Sequence, residues 1–258
     1  MSQNRVVLNL SNVSLRLAQK QILQGINVTI NAGELVVIIG PNGAGKSSLI
    51  KVATGELPSS AGAVTFQSKA FNEIDALEKA RHMAVLPQQS LLDFGFRSKE
   101  VVALGRTPHQ SGAQVDAQIV RSALEKMDVY HLSNRIYTSL SGGEKQRVQL
   151  ARVLAQVWEA QSLIVLDEPT AALDYAHQRQ IMQVLKKKSQ SGGAVLMAMH
   201  DINLAASFAD KIIMMCEGRV VAIGGVDEVL QEDVLEKVFD IKFHRIMHPD
   251  TGKFVFVS

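Results

Sequence analysis

The run Leu35-Val36-Val37-Ile38-Ile39 leads without a break into Gly40-Pro41-Asn42-Gly43-Ala44-Gly45-Lys46-Ser47-Ser48. Five apolar residues with no polar alternation read as a strand buried on both faces, as a central parallel strand is. The residues after it fill the pattern Gly, four residues, Gly, Lys, Ser at a strand-to-helix turn. Glycine makes up about 7 % of average usage, so a chance match of every fixed position behind a strand is improbable. Glycines let backbone N–H groups turn inward as a nest for anions. A helix starting near Lys46 adds the positive end of its dipole. The segment is expected to hold a nucleoside triphosphate, with Lys46 on the β- and γ-phosphates and the Ser47 hydroxyl on Mg²⁺.

The rest of the chain supplies a sheet around this strand. Val6, Leu8 and Leu10 alternate with polar residues, as do Ile26, Val28 and Ile30, and both stretches read as half-buried strands. Residues 46–54 read as a helix, 63–66 as a further antiparallel strand, and Val85-Leu86 as a strand end closed by Pro87. From Gln88 to about Gln161 helical spacing replaces strand patterning, with helices expected over 101–106, 115–127 and 144–158. Strand signals return at 163–166, 194–199, 212–216 and 219–223, and the tail from Val226 reads as a helix plus a short hairpin around Asp250-Thr251-Gly252. Strands alternating with helices imply an α/β fold built on an open parallel sheet. The expected division is a core of 1–87 and 161–258 with an inserted helical subdomain of 88–160.

Composition narrows the function. In 258 residues, 27 Lys and Arg stand against 25 Asp and Glu, and a net charge of +2 gives no argument for a nucleic-acid surface. Lys186-Lys187-Lys188 reads as a solvated helix face. The single cysteine, Cys216, lies in an apolar run and reads as a core residue in a reducing compartment. No apolar segment approaches the ~20 residues that span a bilayer, and the start carries no signal-peptide pattern. A soluble chain is expected, with any membrane role passing through a partner.

A phosphate loop is shared by many machines, and two further motifs choose among them. Leu163-Ile164-Val165-Leu166 runs into Asp167-Glu168, and acidic groups at the carboxyl end of such a strand lie where open α/β sheets bind ligands. Asp167 is placed to hold Mg²⁺ and Glu168 to polarise a water in line with the γ-phosphate. In Leu140-Ser141-Gly142-Gly143-Glu144, the Ser-x-x-Glu spacing is that of a helix capping box. Capping alone does not need two glycines in a first turn, where each costs up to ~1 kcal/mol relative to alanine. Bare glycines there allow a phosphate to approach the backbone.

With these motifs in this order, the chain resembles ATP-binding cassette (ABC) ATPases, and Leu140–Val148 resembles their signature sequence. The resemblance covers the whole chain and implies a P-loop NTPase (RecA-like) core with an N-terminal antiparallel β-subdomain and the inserted helices. It implies that Gln88 is the glutamine that senses Mg²⁺ and the attacking water, with neighbouring Gln89 as the alternative register. Ala171-Ala172-Leu173-Asp174 corresponds to the loop that meets the other protomer, although Ala171 stands where serine is common. His200, behind a strand, corresponds to the histidine that touches the γ-phosphate. One departure concerns the base: Leu17, beside Arg16, stands where the family has an aromatic residue for adenine. The working unit implied is a head-to-tail homodimer, each ATP lying between Lys46, Ser47, Asp167 and Glu168 of one protomer and Ser141, Gly142 and Gly143 of the other.

Val101-Val102-Ala103-Leu104-Gly105-Arg106-Thr107-Pro108-His109 resembles a stretch of ATPases serving importers of iron–siderophores, haem and vitamin B12, and the chain as a whole is most similar to the haemin-import group. That implies two copies of a transmembrane permease as partners, a periplasmic substrate-binding protein acting through them, and a peripheral position on the cytoplasmic face of the bacterial inner membrane. The same motor would serve a siderophore or cobalamin importer. A non-transport cassette acting on ribosomes or DNA is disfavoured by the single cassette, the lack of coiled-coil heptads and the near-neutral charge. His109, His244 and His248 are expected to be solvent-exposed or capping residues rather than haem ligands.

Overall fold

The computed structural model describes residues 5–88, 92–159, 161–249 and 252–258. In chain order the elements are β1 (Val6–Leu17), β2 (Lys20–Asn31), β3 (Leu35–Ile39), α1 (Lys46–Ala53), β4 (Ala61–Phe66), β5 (Lys69–Ala70), α2 (Ala76–His82), β6 (Met83–Leu86), α3 (Ser98–Ala103), α4 (Ala113–Lys126) and α5 (Gly142–Gln156). They continue as β7 (Leu163–Asp167), α6 (Tyr175–Gln190), β8 (Ala194–Ala198), α7 (Ile202–Phe208), β9 (Lys211–Cys216), β10 (Arg219–Gly224), α8 (Val226–Val229), α9 (Glu232–Phe239), β11 (His244–Met247) and β12 (Phe254–Val257). Two compact units emerge, one joining the chain up to Glu73 with Leu196–Ser258, the other formed by Ile74–Val195.

In the first unit an antiparallel sheet runs in the order β2-β1-β4-β5. Val7, Leu8, Leu10, Val13 and Leu15 of β1 are buried while Ser11, Asn12 and Arg16 are exposed, and Leu10 pairs with Val28 and Val64 on either side. Separately, β9 pairs in parallel with β3, Ile38 opposite Ile213, and antiparallel with β10. All five residues of β3 are buried, as an uninterrupted apolar strand requires. Its start is pinned twice: the Asp210 carboxylate accepts the Leu35 N–H at 2.8 Å, and Lys211 Nζ reaches Glu34 at 2.8 and 2.9 Å. The tail completes this core, Leu235, Val238, Phe243 and Phe256 packing with Ile39, Ile212 and Met214. The tail carries two short helices, not one, before its hairpin, and of the expected turn Asp250 and Thr251 lie outside the described residues.

In the second unit β6 and β7 pair in parallel, Val85 opposite Val165. Between Leu92 and Glu159 the described residues contain helices and no strand, only an isolated bridge between Arg97 and Ile136. The first of these helices starts at Ser98, three residues before its expected start, because the Glu100 carboxylate accepts the Arg97 N–H at 2.7 Å. It ends at Ala103, and Gly105 just beyond lies against α5, where a Cβ would come within 2.4 Å of the Arg152 carbonyl oxygen. Buried Arg106 then fastens this turn, with Nε to Asp116 at 2.8 Å, one Nη to the Ala155 carbonyl at 2.8 Å and the other to Ser111 at 2.8 Å.

Two expectations are corrected. Cys216, read as a core residue, is only half-buried, because it ends β9 at the rim of the packed cluster. Of the lysine run read as a solvated face, only Lys187 is exposed. Consecutive helical residues point in different directions, and Lys188 turns inward. His109, expected to be exposed or capping, is half-buried and caps α5, its Nε2 lying 2.7 Å from the carbonyl of Gln156, the last residue of that helix.

Candidate active site

The phosphate loop belongs to the first unit. Gly40 leaves β3 where a Cβ would lie 2.2 Å from the Met215 carbonyl oxygen of β9, so only glycine fits. Gly45 sits before α1 with φ of +100°, the left-handed region that disfavours a side chain. No side chain caps α1 and no acidic residue lies in its first turn, which suits a helix N-terminus that meets an anion. Lys46 is buried, its Nζ donating to the loop's own Gly40 and Pro41 carbonyls at 2.8 and 3.0 Å. Pro41, Gly45, Ser47 and Ser48 are half-buried, Ala44 is buried, and Asn42 and Gly43 are exposed.

The loop has a brace that the sequence reading missed. Gly218, in the turn between β9 and β10, donates its N–H to the Ala44 carbonyl at 3.0 Å, and its own carbonyl accepts the Gln24 N–H at 2.8 Å. Its φ is +74°, and a Cβ there would stand 2.2 Å from the Ile22 carbonyl oxygen. Glycine between two apolar strands signals a turn, but nothing local names Ala44 as its partner. The same unit carries His200, exposed two residues past the end of β8, where the Met199 N–H donates to the Ile38 carbonyl at 3.1 Å and Asp201 caps α7. Leu17 ends β1 with 46 % of its surface exposed, opposite Lys20.

The second unit brings together four of the remaining segments. Asp167 ends β7 buried, while Glu168 follows half-buried with φ of +52°, an uncommon backbone for a side-chain-bearing residue. Gln88 Nε2 donates to Glu168 Oε2 at 3.0 Å, joining two residues that the sequence separates widely. Gln89, the alternative register, lies outside the described residues. Leu140 is buried, and Ser141 caps α5. Its N–H and hydroxyl both donate to the Glu144 carboxylate at 2.8 Å. These two bonds, the backbone one first, hold the Glu144 carboxyl below its ordinary range. Gly142 has open space around it, whereas a Cβ on Gly143 would meet the Ala172 carbonyl oxygen at 3.1 Å. Gln146 Nε2 donates to the Pro169 carbonyl at 3.0 Å, tying α5 to the loop behind Glu168. Leu173 flanks Gly143, and Asp174 caps α6 by accepting the His177 N–H at 2.9 Å. Hydrogen bonds from His177 lower the Asp174 carboxyl from its ordinary value.

Taken unit by unit, the Ser47 hydroxyl in the first and the Gln88 side-chain carbonyl and buried Asp167 carboxylate in the second are each an oxygen donor of the kind a hard divalent cation takes. Among the described residues no group of three or more His, Cys, Asp or Glu side chains forms a separate metal site.

This architecture is that of ATP-binding cassettes. The chain overlays an inward-facing ABC transporter of metal-chelate type with a TM-score of 0.82, 25 % identity and coverage of 98 % of this chain and 97 % of that one. A bacterial ABC transporter cassette solved as a dimer gives 0.74, 26 % identity and coverage of 85 % and 98 %. Residues 23–171 match the family described as ABC transporter. The hemin import ATP-binding protein HmuV of Pseudomonas fluorescens Pf-5 is 44 % identical over 248 residues, 95 % of this chain and 97 % of that protein. Its namesake in Gloeobacter violaceus is 43 % identical over 252 residues, 95 % and 92 %. The chain belongs to the ABC transporter family and is an ATP-binding, ATP-hydrolysing cassette with the P-loop NTPase fold.

Proposed function

We propose that this cassette drives haemin import, coupling ATP binding and hydrolysis to a membrane permease. The observation that carries the reading is similarity along nearly the full chain to relatives named as hemin import ATP-binding proteins, at 44 % identity in the first of them. No helix among the described residues is long and apolar enough to cross a membrane. The assembly is a head-to-tail homodimer with two permease copies, at the cytoplasmic face of the inner membrane, fed by a periplasmic substrate-binding protein. Residues 1–87 and 161–258 act as the nucleotide-binding core, and 88–160 as the helical subdomain.

In that dimer the phosphate loop, Gly40 to Ser48, wraps the polyphosphate of ATP, and Lys46 turns from its loop carbonyls to the β- and γ-phosphates. Ser47, Asp167 and Gln88 would hold Mg²⁺, which neutralises charge on the phosphate oxygens when bound. Glu168 accepts the proton of the attacking water, and His200 donates to the γ-phosphate. Leu140, Ser141, Gly142, Gly143 and Glu144 of the partner protomer close over the same nucleotide. The Ser141 capping bond to Glu144 fixes the backbone of α5, leaving Gly142 open for that approach. Ala172, Leu173 and Asp174 form the loop facing the other protomer. ATP thus acts as the ligand of the closed state, and hydrolysis reopens the interface.

Likeness to a metal-chelate-type transporter supports a siderophore or cobalamin as the rival cargo. Co-expression with the permease, followed by ATPase assay in vesicles carrying the binding protein, separates these. Haemin should stimulate turnover, and stimulation by a ferric siderophore or cobalamin alone would overturn the cargo assignment.

A further inference from the structure

The last turns of α4 and α6 and the end of α5 border one cavity of about 570 Å³ that plays no part in the nucleotide chemistry. Leu154, Val184 and Trp158 form its apolar wall, and Lys126, Lys187 and Lys188 its polar one. None of the described lining residues is acidic. Basic residues at helix ends are favourable, because each end carries about half a negative charge. Three lysines exceed what three helix ends neutralise.

The lysines are arranged around the ring. Lys126 Nζ stands 4.6 Å from the Trp158 ring centroid. Lys188 Nζ donates to the backbone carbonyls of Trp158 and Glu159, at 3.0 and 2.5 Å. The Glu159 carboxylate itself is bonded to Arg106 at 3.3 Å. Burial pushes the Lys188 ammonium down to about 8, Lys126 adding to the shift and Glu159 opposing it. The cavity is short of negative charge.

We propose that this cavity binds an amphiphilic anion, a phosphate group on an alkyl chain, with the phosphate among Lys126, Lys187 and Lys188 and the chain against Leu154, Val184 and Trp158. Lysine is a compact point charge that binds phosphate, and three such charges around one cavity match a doubly ionised phosphate better than a singly charged carboxylate. Inorganic phosphate would leave the apolar wall wet. The ligand is either a free alkyl phosphate or the headgroup and upper chain of a phospholipid, and the proposal does not depend on the transport reading.

Trp158 is the chain's only tryptophan, so its emission reports on this cavity. Octyl phosphate, titrated into the full chain below its micellar concentration, should shift that emission saturably. Inorganic phosphate and uncharged octyl glucoside should not. Lys187→Gln, with Lys126→Gln added, should weaken binding about five- to tenfold, as loss of two exposed charge contacts implies. Calorimetry on Trp158→Phe checks the affinity independently of the fluorophore. Sedimentation with phosphatidylglycerol vesicles, against phosphatidylcholine, identifies the source. Retention lost in the double variant means lipid, and octyl phosphate binding without retention means the free anion. No saturable shift with octyl phosphate, an equal shift with octyl glucoside, or unchanged affinity in the double variant overturns the proposal.

Discussion

Replacing Gly218 with alanine tests how the phosphate loop is held. Two costs arise at this position. Alanine at a φ of +74° pays the left-handed backbone penalty of about 1–2 kcal/mol. Its Cβ would also stand 2.2 Å from the Ile22 carbonyl oxygen, a backbone atom, and relieving that overlap adds about 1–3 kcal/mol. The sum, about 2–5 kcal/mol, corresponds to a fall in Tm of about 5–15 °C for a chain of this size. Gly33→Ala is the control, since Gly33 has a φ of +92° but nothing within 4 Å of the added Cβ. It should show the backbone cost alone, about 1–2 kcal/mol. The Gly218 N–H bond to Ala44 is also disturbed, and its loss of about 1 kcal/mol should weaken binding of a fluorescent ATP analogue roughly fivefold. Gly33→Ala should leave that affinity unchanged. If Gly218→Ala melts no lower than Gly33→Ala and binds nucleotide as the parent does, the brace is refuted.

Glu168→Gln should lower ATP turnover by about 10²–10⁴-fold while ATP binding persists, and an ATP-dependent dimer should accumulate on gel filtration; hydrolysis at the parental rate would remove the proton-accepting role. Arg106→Met should cost about 3 kcal/mol in urea denaturation at pH 7, because it strips a buried guanidinium from its partners. Arg106, then Ser111, lowers the Asp116 carboxyl from 3.8. Stability from that carboxylate is present above pH 3.8 and lost as pH falls through the lower folded value, so the parent–variant gap should narrow below pH 3.8, and a constant gap would count against the pairing. Leu17→Tyr should raise the preference for ATP over GTP in competition binding, stacking being worth about 1–3 kcal/mol, and an unchanged ratio would deny Leu17 a place at the base.

The phosphate loop was legible because its glycines, Lys46 and Ser47 fall in one short run behind an apolar strand, with Gly45 holding the left-handed φ that a side chain disfavours. The Ser141–Glu144 capping box was legible for the same reason, since both partners sit within one turn. Helix α2 was not, because none of its residues is buried and it therefore carries no apolar stripe; Asp75 capping Leu77 and Glu78 starts it instead. Lys188 departs from the solvated face its lysine run suggests because neighbouring residues of a helix point in different directions. The contacts of Gly218 with Ala44, Gln146 with Pro169 and Gln88 with Glu168 join segments far apart in the chain, and no local pattern carries them.

Complementation between two inactive variants tests the composite site most directly. Lys46→Ala disables a protomer's own phosphate loop, and Ser141→Arg disables the surface it lends to its neighbour. Each variant alone should hydrolyse almost no ATP. Mixed, they should regain turnover, since a heterodimer holds one nucleotide site with an intact loop facing an intact signature. Mixtures that form heterodimers yet remain as inactive as either parent variant would contradict the shared-site account.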